Sequence, residues 1–244
     1  MKLTIGYLYP HQMNIYGDRG NIITLQKRCQ WRGIEVVVNE YDLGSKIPLG
    51  VNDLYFFGGG QDREQILASQ DLQAKEQVLK EDFNNGAVFL SICGGYQLLG
   101  NYYQDSSGKK LPGIGLVDTY TVAGEKRMIG NLILKINPQL ADFTPKTLVG
   151  FENHSGKTYL GSGVQPLGKV IKGSGNNGED SFEGAWFKTF FGCYLHGSLL
   201  PKNPHFADYL IELALKRRDP NFKLSPLDDK VELAAHHQAV KLFG

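Results

Sequence analysis

Cys93 and His196 are the residues whose types and placement could do covalent chemistry. Cys93 ends the apolar run AVFLSIC and is followed at once by Gly94 and Gly95. A cysteine at a sharp strand-to-helix turn is exposed as a nucleophile, and the glycines let the backbone turn and a substrate approach. A helix opening at the glycines would hold the sulfur near unpaired N–H groups, which favours the thiolate. The backbone N–H of Gly94 could face a developing oxyanion. His196 ends a second apolar run, FFGCYLH, again followed by glycine. Two strands ending at one sheet edge can bring a cysteine and a histidine into hydrogen-bond reach despite their distance in sequence. The pair would attack an acyl carbon through sulfur, with imidazole moving the proton. A third stretch, FFGGGQDREQ, places glycines between a strand and a helix. It lacks the Lys-Ser/Thr of a P-loop and does not fit G-x-G-x-x-G. Backbone N–H groups of Gly59 or Gly60 are therefore expected to join Gly94 in an oxyanion hole, with nucleotide binding the weaker reading.

The other cysteines and histidines read more plainly. Cys29 falls on an amphipathic helix and Cys193 inside FFGCYL, where free cysteines behave as small hydrophobes. His236 and His237 lie on a late helix that reads as surface, and His205 near a helix start. His154, in GFENHSGKTYL, is expected to line the site without doing chemistry.

These residues need a frame, and the chain supplies an α/β pattern. Strands are expected at 2–9, 34–40, 52–60 and 87–93, with helices at 17–33 and 62–86, the latter as one helix or two. Such alternation predicts a mostly parallel, doubly wound sheet, whose ligands bind beyond the carboxyl ends of the strands. From about 115 to 195 the chain reads as β segments, and helical spacing returns at 203–218 and 228–243. No repeat, low-complexity segment or linker divides it. One domain over 1–244 is expected, with the β-rich part continuing the sheet or packing on its edge.

Composition excludes several classes. The formal charge is +1, from 26 basic and 25 acidic residues, which gives no reason to expect nucleic acid as partner. No apolar run is long enough to cross a bilayer, and MKLTIGYLYP reads as a strand rather than a signal peptide. Three widely spaced cysteines suit neither a disulfide framework nor a zinc site, and point to free thiols in a reducing cytoplasm.

The order GGGQD, CGGYQ, YLHG resembles the class I, triad-type glutamine amidotransferases. YGDRGN, GFENHSGKT, GNNGED and YLHGSLLPKNP are similar to the branch holding the glutaminase domains of cobyric acid and cobyrinic acid amide synthases, and within it to the glutaminase subunits of lipid II isoglutaminyl synthases. The resemblance runs from about residue 5 to about 220. It implies a flavodoxin-like amidotransferase fold with a mixed sheet. It implies that Cys93 attacks the side-chain amide of L-glutamine to give a glutamyl thioester and ammonia, with His196 as base and then acid. Gln97 matches a glutamine-contacting position and Arg127 an arginine for the substrate carboxylate, which a guanidinium fork suits. No cofactor or metal is implied in this chain. ATP and Mg are implied in a MurT-type ligase partner, forming a heterodimer. That ligase amidates the α-carboxyl of D-isoglutamate in the lipid II stem peptide. The setting implied is the cytoplasm of a Gram-positive bacterium, with a membrane-bound substrate but no insertion of this chain.

One feature departs from the class. Triad-type enzymes usually carry H-x-E, the glutamate orienting the histidine, whereas here Ser198 holds that position. Either a Cys–His dyad suffices, or Glu152 supplies the acid, or a ligase carboxylate does, the last being preferred. Two rival readings stand beside this one. A cysteine hydrolase or peptidase acting alone would make no glutamate from glutamine, and a decayed docking subunit would not be expected to keep both Cys93 and His196.

Overall fold

The computed structural model describes residues 1–243. Four apolar runs form the parallel strands β1 (Lys2–Leu8), β2 (Glu35–Tyr41), β3 (Leu54–Phe57) and β4 (Val88–Ile92). Helix α1 (Arg19–Gln30) separates β1 from β2 and α2 (Asp62–Asn84) separates β3 from β4, while β2 and β3 are joined by a loop and the short α3 (Gly94–Leu99) follows β4 directly. β3 and β4 are buried at every residue, as their unbroken apolar sequences require of central strands. The stretch 62–86 forms one helix rather than two, since nothing in it breaks α2.

The middle of the chain forms β5 (Tyr102–Gln104), β6 (Lys110–Pro112), β7 (Thr119–Ile136), β8 (Thr147–Leu160), β9 (Gly168–Lys172), β10 (Phe182–Glu183), β11 (Ala185–Phe187) and β12 (Phe190–Cys193). A 3₁₀ turn at Leu200–Lys202 leads to α4 (Pro204–Lys216), and α5 (Lys230–Phe243) follows. The first sheet has the order β11-β12-β4-β3-β1-β2, parallel except for β11. A second sheet, β10-β9-β7-β5-β6 with β8 on β7, carries most of the middle region. Only β11 and β12 of the β-rich part continue the first sheet; the rest builds a sheet of its own rather than an extension of the first. Phe151 of β8 and His196 exchange backbone hydrogen bonds of 3.2 and 2.9 Å, joining the two sheets beside the site.

α4 packs on β1 and β4 with α1 beside it. Arg28 of α1 is buried and binds both oxygens of Asp208 and of Asp229, tying α1 to α4 and to the approach to α5. His236 corrects the surface reading of α5. It is buried, with Nε2 2.8 Å from Thr147 Oγ1 and Nδ1 2.9 Å from the Lys202 carbonyl, so it docks the last helix. No helix among the described residues is long and apolar enough to cross a membrane.

Candidate active site

Strand register decides which chain ends meet. β3 and β12 flank β4 in parallel, with Phe57 opposite Ser91 and Cys193 opposite Ile92. The glycine loop after β3, Cys93 after β4 and His196 after β12 therefore leave the sheet side by side. This is the convergence that the two sequence patterns predicted.

Cys93 has φ 51° and ψ −108°, a left-handed conformation that is strained for a side-chain-bearing residue. Its neighbours hold it there. Cys93 N–H donates to the Cys193 carbonyl at 2.8 Å, Gly95 N–H to Gly58 O at 3.0 Å, and Gln97 N–H to Cys93 O at 3.0 Å. Gly95 has no room for a side chain, because a Cβ there would lie 2.5 Å from Phe57 O. Gly59 sits between nucleophile and base. A Cβ on it would lie 2.8 Å from His196 Cε1 and 3.3 Å from Cys93 Cβ.

His196 is fully buried, and its Nδ1 lies 3.0 Å from Asp18 Oδ1. A carboxylate at Nδ1 fixes the proton on that nitrogen and leaves Nε2 to accept. Nε2 is buried and has no hydrogen-bond partner among the described residues. Burial alone would push the imidazole pKa down. The facing Cys93 sulfur and the Asp18 carboxylate override it and raise it to about 10. Cys29 and Cys193 are buried thiols of the ordinary kind, Cys29 pushed up to about 12 chiefly by desolvation and Cys193 raised well above its usual value by the same cause.

The structure corrects several expected positions. Gly59 is not free as an oxyanion donor, since its N–H donates to Asp18 Oδ2 at 2.7 Å. Gly60 and Gly94 remain, and a Cβ on Gly94 would lie 3.2 Å from Gly60 N, so the two backbones adjoin. Glu152 does not hold the base. Its oxygens accept from Ser174 N–H at 2.7 Å and Gly175 N–H at 3.0 Å, which makes it the clasp of the GNNGED loop. Within this chain it is Asp18 that meets the base, its Oδ1 lying 3.0 Å from His196 Nδ1. His154 stacks on Tyr194 at 3.5 Å and bonds the Gly156 carbonyl through Nδ1, which places it in the packing beneath the site. Gln97 is buried and largely committed: Oε1 accepts from Gln65 at 2.7 Å and Nε2 donates to Tyr194 OH at 3.0 Å.

Arg127 reaches the site through a residue that sequence reasoning did not single out. Its guanidinium donates to Asn153 Oδ1 at 2.6 Å and to Tyr16 OH at 3.1 Å. The Tyr16 ring meets the His196 ring edge-on, 5.0 Å between centroids. Ile15, Tyr16, Gly60, Asp62, Arg63, Glu64 and Arg127 line a cavity of about 560 Å³, which shares Tyr16 and the Gly60 loop with the surroundings of His196 and Cys93 without being lined by either.

Comparisons with known proteins point to one family. A family model described as a CobB/CobQ-like glutamine amidotransferase domain matches residues 4–204. The chain is 41% identical to the lipid II isoglutaminyl synthase (glutamine-hydrolyzing) subunit GatD of Staphylococcus aureus (strain N315), covering 96% of this chain and 93% of that one. It is 40% identical to the GatD subunit of Streptococcus pneumoniae, covering 98% and 92%. Among solved structures, a glutamine amidotransferase from Thermotoga maritima superposes with a TM-score of 0.54 at 15% identity, over 98% of this chain and 97% of that one, a likeness of fold.

Proposed function

The chain belongs to the CobB/CobQ-like glutamine amidotransferases, and on that premise we propose that it is the glutaminase subunit of a lipid II isoglutaminyl synthase. The observation that carries the reading is the convergence of Cys93 and His196 on either side of Gly59 at one sheet edge. The near full-length similarity to two GatD subunits supports the substrate.

In this reading the glutamine α-carboxylate pairs with Arg127, and the side-chain amide carbon faces Cys93. With its pKa raised to about 10, His196 already holds the thiol proton, so the Cys93 thiolate attacks and the amide oxygen becomes an oxyanion facing the Gly60 and Gly94 N–H groups. The imidazolium returns the proton to the amide nitrogen, the C–N bond breaks, and ammonia leaves. Water then attacks the thioester with His196 as base, which releases glutamate and restores the thiol. Ammonia passes to a MurT-type ligase subunit. There ATP, with Mg, activates the α-carboxyl of D-isoglutamate in the lipid II stem peptide, and ammonia displaces the phosphate. This chain needs no cofactor for its own half-reaction.

Assaying glutamate release from L-glutamine, and amidated lipid II when ligase, ATP and lipid II are added, tests this reading. A peptidase acting alone would yield neither product, and a docking-only subunit would support amidation from ammonium but not from glutamine. Arg127 gives a sharper test of substrate binding. A charge-assisted pair is worth about 1.5–3 kcal/mol, so Arg127→Ala should raise KM for glutamine roughly 10- to 100-fold. Arg127→Lys should recover part of the loss, because lysine keeps the charge but not the fork. An unchanged KM would remove Arg127 from the substrate site.

A further inference from the structure

We propose that Asp18 is the positioning acid of this site, replacing from the opposite end of the chain the carboxylate that H-x-E enzymes carry two residues after the histidine. The proposal rests on the glutaminase reading of Cys93 and His196 and adds a residue to it.

Asp18 is fully buried, and both of its oxygens are used. Oδ1 meets His196 Nδ1 at 3.0 Å, and Oδ2 accepts from Gly59 N–H at 2.7 Å. One carboxylate thus fixes the base and the glycine loop that separates base from nucleophile. A side chain ahead of a helix commonly caps it, yet Asp18 makes no capping hydrogen bond to α1. It is turned away from its own helix toward the site.

Ser198 explains why the acid comes from there. Its hydroxyl donates to the Gly17 carbonyl, so it holds the loop that carries Asp18. The loop is packed hard against it: a Cβ on Gly20 would lie 2.0 Å from Ser198 Oγ and 2.9 Å from its Cβ. Two residues on, Leu200 N–H donates to Asn21 Oδ1 at 2.9 Å, continuing the contact. Glycine at position 20 is what lets this loop lie so close to Ser198. The residue that stands where the class carries its glutamate thus supports the loop that brings Asp18 to the base.

The groups around His196 give the arrangement a pH signature. Asp18 and the Tyr16 ring face it from the loop before α1, and Cys93 faces it from the β4–α3 turn. Lys202 Nζ lies near Gly197, within 3.1 Å of where a Cβ would stand, and Arg127 touches the set only through Tyr16. Asp18 is thus the carboxylate among them that meets the imidazole. Proton delivery to the leaving nitrogen needs the imidazolium, which persists below the His196 pKa and is lost as pH rises through it. Removing the Asp18 charge lowers that pKa, so the alkaline limb of activity moves to lower pH.

The test uses Asp18→Asn, which keeps shape and removes charge, in the chain with its ligase partner. In a serine triad the corresponding change costs about 10⁴ in rate, and a cysteine nucleophile depends on it less. We expect kcat for glutamine hydrolysis to fall roughly 10²- to 10⁴-fold. KM should stay within about threefold, and the alkaline limb should drop by about a pH unit or more, in line with an opposite charge lost at hydrogen-bond range. Ser198→Glu should also lose activity, since it removes the hydroxyl that holds the loop. Titration of the His196 ring by NMR needs no turnover. It should show a lower pKa in Asp18→Asn even if wild-type chain proves inactive on glutamine, an outcome that would sink the glutaminase reading alone. Wild-type kcat and an unmoved alkaline limb in Asp18→Asn, or an unmoved ring titration, would overturn the proposal.

Discussion

Cys93→Ala and Cys93→Ser should abolish glutamine hydrolysis and leave the fold standing. No other group can form the acyl intermediate: Cys29 and Cys193 are fully buried, with their thiols held neutral by desolvation. Serine at 93 would keep the strained turn but present a hydroxyl that is far harder to ionise than a thiol. Cys29→Ala and Cys193→Ala should keep most activity. A complex carrying Cys93→Ala should still amidate lipid II from ammonium at high concentration, since only the nitrogen source is lost. Failure of that rescue, with the ligase folded and binding ATP, would mean that this chain does more than supply ammonia. Persistent glutamine-dependent amidation by Cys93→Ala would refute the assigned nucleophile.

The second large effect needs only one methyl group. Gly59→Ala places a Cβ 2.8 Å from His196 Cε1 and 3.3 Å from Cys93 Cβ. The first distance is shorter than real Cβ contacts, and the ring it meets is pinned by Asp18. The imidazole or the glycine loop must shift. Misplacing a catalytic group by about 1 Å can cost about 10²-fold in rate, so a fall in kcat of that order is expected. The melting temperature should change little, because alanine can adopt the backbone conformation here, and ammonium-driven amidation should be spared. Wild-type glutaminase kinetics in Gly59→Ala would show that base and nucleophile do not meet across this residue.

The parts of the fold legible in sequence are those fixed by local pattern. β3 and β4 are continuous apolar runs that lead into glycines, and central parallel strands need that composition. The end of the AVFLSIC run locates Cys93 at the sheet edge, and the end of FFGCYLH locates His196 there, by pattern alone. The β7–β8 hairpin was legible only in pieces, because a register shift between Ala123 and Met128 interrupts the alternation. β5 and β6 span three residues each and are at most half-buried, too short to imprint a period. Asp18 was illegible for another reason. An aspartate before a helix reads as a cap, and its partner His196 lies 178 positions away. The trace it left was indirect: a serine where the class carries glutamate, and an unassigned YGDRGN motif. His236 misled similarly, since its burial depends on Thr147 and Lys202, remote in sequence.

The most direct test of the central claim is to catch the acyl-enzyme. Wild-type chain is mixed with radiolabelled L-glutamine, quenched in acid during turnover, digested and mapped. The label should sit on the peptide carrying Cys93, be released by neutral hydroxylamine as a thioester is, and be absent from Cys93→Ser. Label-free protein during active glutamate formation, or label that persists in Cys93→Ser, would contradict the mechanism.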